Sequence, residues 1–232
     1  MLKNNKIICV IPARAGSKRI PGKNKYEFQG QTLVEWSIKA SILCDYIDET
    51  ILSSNDDDII DIGKKYGLTI HHRSKELSSD TASSFDLLKD IYFNLINKNA
   101  DIIITLQPTS PLREKDLLNN SLEYICLSNN WSSAIELFPW KQFTGKIINN
   151  FWVPDFPEDT RSQEIPTKFI PSGRFFAYNC NETIKLNEPL GNRVVPLYTE
   201  EWNNVNIDDY TDLEKMEYIF SQCIKEYLYL IK

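Results

Sequence analysis

A basic, glycine-containing loop follows the first apolar run of the chain and carries its clearest chemical pattern. Residues 12–24 contain four cations and two glycines: Arg14, Lys18, Arg19, Lys23, Gly16 and Gly22. Small residues let backbone N–H groups approach a phosphate, and cations offset charge that develops on a leaving pyrophosphate. The loop is not a Walker A loop, because Gly16 to Gly22 is one residue too long, Pro21 lacks an N–H and Asn24 stands where Ser or Thr should. Nor is it a dinucleotide fingerprint, so the residues alone predict a phosphate site or, equally, a solvated basic loop.

Other polar residues also lie where ligands bind in α/β proteins. Gln107 ends a later apolar run, and Pro108 after it removes a donor and fixes an extended exit. Arg73 and Ser84, taken alone, are more typical of a surface cation and of a residue near a helix N-cap. Of these residues, Gln107 is the strongest candidate for ligand binding.

Two pairs of residues have an equally simple structural interpretation. His71 and His72 are the only histidines, and no catalytic triad order can be assembled around them, so a structural role is favoured. Asp208 and Asp209 precede a helical pattern, and either of them fits a helix N-cap as well as a metal ligand.

The basic loop follows a strand predicted to be buried on both faces. Residues 7–11 are a continuous, β-branched apolar run that ends at Pro12. Residues 33–43 predict a helix and residues 49–54 a second strand. Strand, loop, helix and strand in this order are typical of a βαβ unit.

The alternation of helix and strand continues along the next fifty residues. We predict a helix over 56–66 that ends at Gly67, a strand over 68–72, an amphipathic helix over 83–96 and a strand over 102–106. This alternation predicts an α/β fold with a doubly wound, mostly parallel sheet, whose ligands sit at the carboxyl ends of the strands. The basic loop and the Gln-Pro step both follow such strand ends.

The pattern changes in the second half of the chain. Residues 138–178 are rich in aromatic residues, prolines and short alternating runs, which favour hairpins and an insertion or dimer arm outside the sheet. Residues 209–231 close the chain with apolar positions three and four apart, which predicts one amphipathic helix.

Composition limits the classes of function. With 232 residues, 42% hydrophobic and 25% charged, the chain fits one large α/β domain over residues 1–232. A net charge of -6 argues against a binder of nucleic acid or of membrane surfaces. Five scattered cysteines without a C-x-x-C pair indicate reduced thiols in a cytoplasmic protein. We expect neither a signal peptide nor a membrane span.

Four segments, in order, resemble the CMP-sialic acid synthetase (acylneuraminate cytidylyltransferase) family. They are residues 11–24 (IPARAGSKRIPGKN), 73–84 (an Arg followed by LSSDTASS), 106–113 (LQPTSPLR) and 206–208 (NID). The resemblance implies a Rossmann-like nucleotidyltransferase fold, transfer of CMP from CTP to an acidic 2-keto sugar of the nonulosonic type with release of pyrophosphate, and a Mg²⁺ cofactor. Residues 138–178 resemble the arm through which the family forms homodimers, so a homodimer is expected.

The resemblance also implies roles for individual residues. The nucleotide-binding residues would be Ala13, Arg14, Gly16, Ser17, Lys23, Asn24, Arg73, Ser84 and Gln107. The catalytic residues would be Arg14, Lys23 and Asp208, and the metal ligands Asn206, Asp208 and Asp209. The sugar-binding residues would be Gln107, Arg161, Lys168 and Arg174, since a cation, above all the Arg fork, can bind a carboxylate.

The chain departs from the family pattern at several positions. Asn206 replaces the first Asp of the Asp-x-Asp pair that carries Mg²⁺ in the family, so metal affinity should fall or Asp209 must substitute. Ser162, Ser172 and Asn55 replace an Arg, an Asn and an Asp of the family. Two alternatives stay open: a 3-deoxy-manno-octulosonate transferase, whose loop usually reads STRLPGKP, and a nucleotide-binding homologue that has lost catalysis.

Overall fold

A computed structural model describes residue 2, residues 4–200 and residues 205–231, and in these ranges a seven-stranded sheet is flanked by helices. The strands are β1 (Ile7–Pro12), β2 (Glu27–Phe28), β3 (Gln31–Thr32), β4 (Glu49–Ser54), β5 (Thr69–His72), β6 (Ile102–Thr105), β7 (Ser133–Trp140), β8 (Gly145–Ile148), β9 (Phe151–Pro154), β10 (Lys168–Asn179) and β11 (Val194–Tyr198). The α-helices are α1 (Leu33–Ile42), α2 (Asp57–Lys65), α3 (Ser84–Asp90), α4 (Leu117–Leu127), α5 (Tyr210–Gln222) and α6 (Ile224–Tyr227).

The main sheet has the strand order β11-β7-β10-β6-β1-β4-β5 and is mostly parallel. Strand β1 lies at its centre and pairs in parallel with β4 and β6, and β4 pairs in parallel with β5. Strand β10 runs antiparallel between β6 and β7, and β11 is parallel to β7. Residues 7–11 are fully buried, as a central strand covered on both faces requires. The predicted α/β class and the mostly parallel sheet are therefore confirmed.

Helices cover both faces of the sheet, which makes it doubly wound. On one face, Trp36 of α1, Leu118 of α4 and Met216 of α5 share a single apolar cluster. On the other face, Leu87 and Leu88 of α3 pack in a second cluster. None of the described helices has both the length and the apolar character needed to cross a bilayer.

Side-chain caps set where the helices near the strand ends begin. Thr32 caps α1, Ser83 caps α3 and Asp209 caps α5, each accepting a bond from a backbone N–H of the first turn. Asp56 caps α2 in the same way. Helix α4 has no side-chain cap at Asp116, and the sequence analysis did not predict this helix.

Two predicted helices differ from the observed ones. The helix predicted over 83–96 is α-helical only as far as Asp90 and continues as a π-helix, Ile91–Leu95. The single helix predicted over 209–231 breaks at Cys223, where φ is -124° and an α-helix cannot continue.

The insertion predicted over 138–178 is narrower in the structure. Strand β7 runs to Trp140, and β10 begins at Lys168 and pairs with both β6 and β7. The hairpin of β8 and β9 forms a separate two-stranded sheet. The excursion from the main sheet is therefore the segment between β7 and β10, because residues 168–178 belong to a central strand.

Candidate active site

A cleft of about 430 Å³ opens beyond the carboxyl ends of β1 and β6, within the size range of small-molecule sites. Its walls come from four separate segments of the chain, and the lining residues are Pro12, Arg14, Gly16, Ser17, Lys18, Arg19, Lys23, Asn24, Arg73, Ser79, Asp80, Ala82, Ser84, Gln107, Pro108, Thr109 and Asp208. Every nucleotide-binding residue predicted from the sequence lines this cleft except Ala13. The fold thus brings the first, second and third family-like segments together.

The basic loop is fixed to the end of β4 by its first residues. Ala13 is fully buried, and its carbonyl accepts a hydrogen bond of 2.7 Å from the Ser54 hydroxyl. The backbone N–H of Ala15 donates to the side-chain oxygen of Asn55 at 2.9 Å. Asn55, which replaces an Asp of the family pattern, therefore supports the loop. Ala13 lies behind the cleft and positions Arg14 in front of it.

Arg14 and Lys18 share one carboxylate on the wall of the cleft. A terminal nitrogen of Arg14 donates to Asp80 at 3.1 Å and to the carbonyl of Ser79 at 3.2 Å. The ammonium of Lys18 lies 2.6 Å from the other oxygen of Asp80. Hydrogen bonds from Lys18 and Arg14 lower the pKa of Asp80, so this carboxylate stays ionised at neutral pH.

Lys23 and Arg19 share a second carboxylate, supplied by a segment almost two hundred residues away. Lys23 donates to the carbonyl of Ile207 at 2.5 Å and lies 3.3 Å from Asp208. Arg19 lies 3.2 Å from the same oxygen of Asp208. The fourth family-like segment is therefore held against the basic loop by charge, and Lys23 is the most buried of these four cations, with 12% of its side chain exposed.

Arg73 and Ser84 also lie on the wall of the cleft. The Nε of Arg73 donates to the carbonyl of Leu77 at 2.7 Å, which leaves the rest of the guanidinium on the cleft wall. Partial burial lowers the pKa of Arg73, and the neighbouring charge of Arg14 acts in the same direction. Ser84 is the first residue of α3, one position beyond the N-cap.

Gln107 is held from behind by a buried arginine. Arg113 is fully buried and donates to the carbonyl of Gln107 at 3.0 Å and to the Ser37 hydroxyl at 3.2 Å. The Thr109 hydroxyl donates to the Gln107 side-chain oxygen at 3.4 Å. These bonds fix the Gln-Pro step at the end of β6 and leave the Gln107 side chain on the cleft wall.

The backbone at Gly173 passes close to the side chains of Ser110 and Gln107. It has φ +80°, a conformation that favours glycine, and it lies where the register of β10 against β7 shifts. A Cβ at this position would lie 2.8 Å from Ser110 Oγ and 3.4 Å from the Gln107 side-chain oxygen. The strand therefore passes this end of the cleft with room for a hydrogen only.

The three residues predicted as metal ligands lie in different surroundings. Asp208 lines the cleft, as described above. Asn206 is exposed, and its side-chain oxygen accepts a long bond of 3.5 Å from Ser110 Oγ. Asp209 caps α5, accepting bonds from the backbone N–H groups of Thr211 and Asp212. Within the described ranges, no group of three or more Asp, Glu, His or Cys residues could hold a metal ion.

Arg174 is a correction to the predicted sugar site. It is 1% exposed and is ion-paired with Glu136 at 2.6 Å and with Glu114 at 2.9 Å. Its terminal nitrogens also donate to the hydroxyl of Thr199 at 2.8 Å and to the carbonyl of Leu112 at 3.4 Å. The Arg fork is thus occupied by two carboxylates of the protein, and Arg174 holds β10 to its neighbours instead of meeting a sugar carboxylate.

Arg161 and Lys168, also predicted to bind the sugar, lie outside the cleft of this chain. Arg161 is exposed and ion-paired with Glu164. The ammonium of Lys168 is exposed and lies 5.9 Å from the centroid of the Trp140 ring. Both residues follow the hairpin of β8 and β9 in the sequence, and neither of them lines the cleft with Gln107.

A buried hydrogen-bonded chain links β4, β5 and α3. Ser53 Oγ lies 2.9 Å from His71 Nδ1, and His71 Nε2 lies 2.8 Å from Asp90, which also accepts a bond from Asn94. Sequence reasoning found no acid or serine partner for His71, and the fold supplies both. Because Ser53 is fully buried and no substrate can reach it, the structural role predicted for His71 fits this geometry.

Several cleft residues were absent from the predicted site. Lys18, Arg19, Asp80 and Thr109 all line the cleft. Each of them lies inside a segment that carried the family resemblance, so the segments themselves were the signal. What the sequence did not show is the pairing of two carboxylates with four cations.

Comparison with known proteins identifies the chain's family. The family model described as "Cytidylyltransferase" matches residues 8–142, which include the basic loop and the Gln-Pro step. The chain belongs to the cytidylyltransferase family. As a cytidylyltransferase it uses CTP as the nucleotide substrate, and the cationic cleft is where the triphosphate has complementary charge.

Two curated relatives extend the match beyond residue 142. Pseudaminic acid cytidylyltransferase from Campylobacter jejuni subsp. jejuni serotype O:2 is 34% identical over 183 residues, covering 74% of this chain and 77% of that protein. N-acylneuraminate cytidylyltransferase from Oncorhynchus mykiss is 36% identical over 179 residues, covering 74% of this chain but only 41% of that longer protein. Most of this cytidylyltransferase is therefore similar in sequence to enzymes named for two nonulosonic acids.

A solved structure carries the same fold. CMP:2-keto-3-deoxy-manno-octonic acid synthetase, in a complex with CTP, superimposes with a TM-score of 0.69 and covers 94% of this chain and 99% of that one. Sequence identity is 15%, so the likeness concerns the fold. The Rossmann-like nucleotidyltransferase fold that the family resemblance implies is thus confirmed.

Proposed function

We propose that this cytidylyltransferase transfers CMP from CTP to the anomeric hydroxyl of a nonulosonic, sialic-acid-like sugar acid and releases pyrophosphate. The observation that carries the proposal is the meeting of four loop cations with Gln107, Arg73 and Ser84 in one cleft. The names of the two curated relatives, pseudaminic acid cytidylyltransferase and N-acylneuraminate cytidylyltransferase, support a nonulosonic acceptor.

The basic loop would bind the triphosphate. In this structure Asp80 pairs with Arg14 and Lys18, and Asp208 pairs with Arg19 and Lys23. A triphosphate brings more negative charge than either carboxylate and can draw Arg14 and Lys18 away from Asp80. Arg14 and Lys23 would then stabilise the charge that builds on pyrophosphate as the bond to the α-phosphorus breaks.

Catalysis would rest on positioning and charge neutralisation. The anomeric hydroxyl of the acid attacks the α-phosphorus in line, pyrophosphate leaves on the opposite side, and no covalent intermediate with the enzyme forms. Gln107, held by Arg113, would fix the sugar beside the nucleotide, and Ser17, Asn24, Arg73 and Ser84 would hold the nucleotide.

A Mg²⁺ ion in this cleft would take part of its coordination from the substrate. Mg²⁺ commonly binds one or two protein carboxylates together with substrate phosphates and waters, and Asp208 is a carboxylate on the cleft wall. Asn206 could add its amide oxygen, whereas Asp209 is engaged as a helix cap. When bound, Mg²⁺ would neutralise triphosphate charge and help to ionise the attacking hydroxyl.

A homodimer through the β8–β9 hairpin would give Arg161 and Lys168 a role in binding the sugar acid. Ile147, Phe151 and Trp152 of the hairpin are 70%, 74% and 55% exposed, an apolar surface typical of an interface. Arg161 and Lys168 follow the hairpin in the sequence and are exposed, so in a dimer they would be able to meet a sugar carboxylate near the interface. The five cysteines all lie in described ranges and form no disulfide, which supports a reducing compartment such as the cytoplasm.

Pyrophosphate release with CTP and Mg²⁺ tests the proposal, measured with N-acetylneuraminic, legionaminic and pseudaminic acids and 3-deoxy-manno-octulosonate. We expect release with a nonulosonic acid, a loss of about 100-fold or more in Arg14→Ala, and no loss in Arg193→Ala. Arg193 is a matched control, since it is a partly exposed arginine paired with Glu182 away from the cleft. Release with the octulosonate alone would overturn the nonulosonic acceptor. CTP binding without release from any acid would instead favour a homologue that has lost catalysis.

A further inference from the structure

His71 joins a helix of the candidate site to the carboxyl edge of the sheet. Its side chain is buried, and the register of β5 against β4 places it beside Ser53. Its Nδ1 lies 2.9 Å from Ser53 Oγ, and its Nε2 lies 2.8 Å from Asp90 at the end of α3. An ionised carboxylate only accepts hydrogen bonds, so Nε2 donates to Asp90, and Nδ1 of the neutral ring accepts from the Ser53 hydroxyl. The imidazole therefore links β4 to α3 through two directional bonds.

On the side of the strands, the link holds the basic loop and Arg73. The carbonyl of Ser53 accepts a hydrogen bond of 2.9 Å from the backbone N–H of Ala13, the residue before Arg14. The carbonyl of Ser54, the next residue of β4, accepts one of 2.9 Å from the N–H of Arg73. A displacement of this strand end would therefore move two arginines of the cleft together.

On the side of the helix, the link holds Ser84. Helix α3 begins at Ser84, which lines the cleft, and ends at Asp90, about 9 Å further along the helix axis. Leu87 and Leu88 pack α3 against the sheet, but apolar contacts are non-directional and do not by themselves fix the helix along its axis. The hydrogen bond from His71 to Asp90 is directional, so it sets the position of Ser84.

The backbone of α3 changes where the helix meets His71. The α-helix ends at Asp90 and continues as the π-helix Ile91–Leu95, a rare conformation that is frequent at functional sites. Asn94 of this segment donates to Asp90 Oδ1 at 2.7 Å, while His71 meets Oδ2. Both oxygens of the carboxylate are thus held, which makes Asp90 a fixed partner for the imidazole.

We infer that His71 is a positioning residue for CTP binding, which fixes Ser84 relative to Arg14 and Arg73. The inference rests on the part of the proposed function in which these three residues hold the nucleotide. His71 does not line the cleft and acts through the elements that it joins. A cleft whose walls already stand at the spacing of the nucleotide loses less conformational freedom on binding, and this preorganisation raises affinity.

CTP binding to the full-length enzyme, measured by calorimetry with Mg²⁺ and without a sugar acid, tests the inference independently of turnover. His71→Leu removes both hydrogen bonds at a similar volume, and we expect the Kd for CTP to rise by about tenfold. His71→Gln places an amide within reach of Asp90, so its Kd should return to within about threefold of the wild type. His72→Leu is the matched control and should bind CTP normally, because His72 is the next residue of the chain, is exposed and does not line the cleft.

Ile91→Ala separates positioning from a general loss of stability. Ile91 is fully buried in the same apolar cluster as Leu87, so its truncation leaves a cavity while both bonds of His71 remain. We expect Ile91→Ala to lower the midpoint of urea denaturation at least as much as His71→Leu does. Its Kd for CTP should nevertheless stay within about twofold of the wild type, since the cavity removes no bond of the link.

A double-mutant cycle assigns the effect to the contact between His71 and α3. Asp90→Ala alone should weaken CTP binding about as much as His71→Leu does, because either change breaks the same bond. In the His71→Leu background, Asp90→Ala should raise the Kd by less than about twofold more. Fully additive effects would mean that the two residues act separately and would overturn the link.

The remaining outcomes distinguish the inference from the proposed function. Normal CTP binding by His71→Leu, when Arg14→Ala binds weakly, would overturn the inference and leave the nucleotide site in place. Equal weakening in His71→Gln and His71→Leu, or in Ile91→Ala, would remove the directional bond as the cause. Normal CTP binding by Arg14→Ala would overturn the proposed nucleotide site itself.

Discussion

The basic loop and the Arg174 cluster (Arg174, Glu136 and Glu114) both pair arginine or lysine with carboxylates, but in opposite surroundings. In the loop, Arg14 and Asp80 expose 36% and 54% of their side chains. In the cluster, Arg174 and Glu136 each expose 1%. The same type of ion pair is therefore exposed to solvent at the mouth of the cleft and buried behind it.

The difference in exposure determines which charged groups can change partners. An exposed pair is worth little, because water solvates either ion once the pair separates, so an arriving triphosphate can take the cations. A buried pair cannot open without leaving an uncompensated charge in the interior. We therefore expect the loop cations to determine substrate binding and the Arg174 cluster to determine stability.

Arg174→Leu should have the largest effect. It leaves Glu136 buried without its partner, so the free energy of unfolding should fall by about 3–5 kcal/mol, as measured by urea denaturation. Arg161→Leu removes an exposed pair with Glu164 and should change the free energy of unfolding far less. Adding Glu136→Leu to Arg174→Leu should recover part of the loss. An Arg174→Leu enzyme of normal stability with a raised KM for the sugar acid would restore Arg174 to the sugar site.

Lys23→Ala should cost most in catalysis. Lys23 lies mostly buried against Ile207 and Asp208, where it would meet the leaving pyrophosphate, so kcat/KM should fall by about 100- to 1000-fold. Lys25→Ala is the matched control, because Lys25 pairs with Asp56 and Asp58 and does not line the cleft. Comparable losses in both variants would show that any cation of this loop segment suffices and that position is unimportant.

The position of the basic loop could be predicted from the sequence because one contiguous segment builds it. Residues 12–24 follow a buried strand, so their place at its carboxyl end follows from the strand pattern alone. Local chemistry and local structure coincide there. Arg14, Gly16 and Lys23 line the cleft as predicted for that reason, whereas Asp80 needed the fold to bring it to Lys18.

The surroundings of Arg174 could not be predicted from a local sequence pattern. Arg174 looks in sequence like any cation beside a glycine, and only the pairing of β10 with β7 places Glu136 against it. Strand β10 was assigned to the insertion because prolines and aromatic residues obscured its alternation. The partners of His71 were not predicted for the same reason. Ser53 and Asp90 contact it across neighbouring elements, and no spacing in the sequence reveals such contacts.

Gly173→Ala should have an intermediate effect on the sugar end. The backbone at this position has φ +80°, which strains any residue with a Cβ. The new Cβ would also lie 2.8 Å from Ser110 Oγ, so the side chains of Ser110 and Gln107 must shift. The KM for the sugar acid should rise more than the CTP KM, together with a loss of about 1–2 kcal/mol in unfolding free energy. Gly30→Ala isolates the backbone strain, because Gly30 has φ +75° and open space around its Cβ position. Equal effects of both variants on the sugar KM would remove the close approach as the cause.

Asp80→Asn should have the smallest effect. The direction of the change in the CTP KM tests whether the exposed ion pairs exchange partners. Removing the carboxylate frees Arg14 and Lys18 for the triphosphate, so the CTP KM should fall about two- to fivefold at low salt, and the gain should shrink as salt screens the exposed charges. Lys18 and Arg14 depress the pKa of Asp80, so the wild-type carboxylate remains charged above its ordinary pKa, and the difference between the enzymes should stay constant from pH 6 to 8. Only acidification through the lowered pKa would protonate Asp80 and bring the wild type toward the variant. A rise in the CTP KM would instead mean that Asp80 holds Arg14 in its binding position. In that case the exposed pair of the loop is as fixed as the buried pair of the Arg174 cluster.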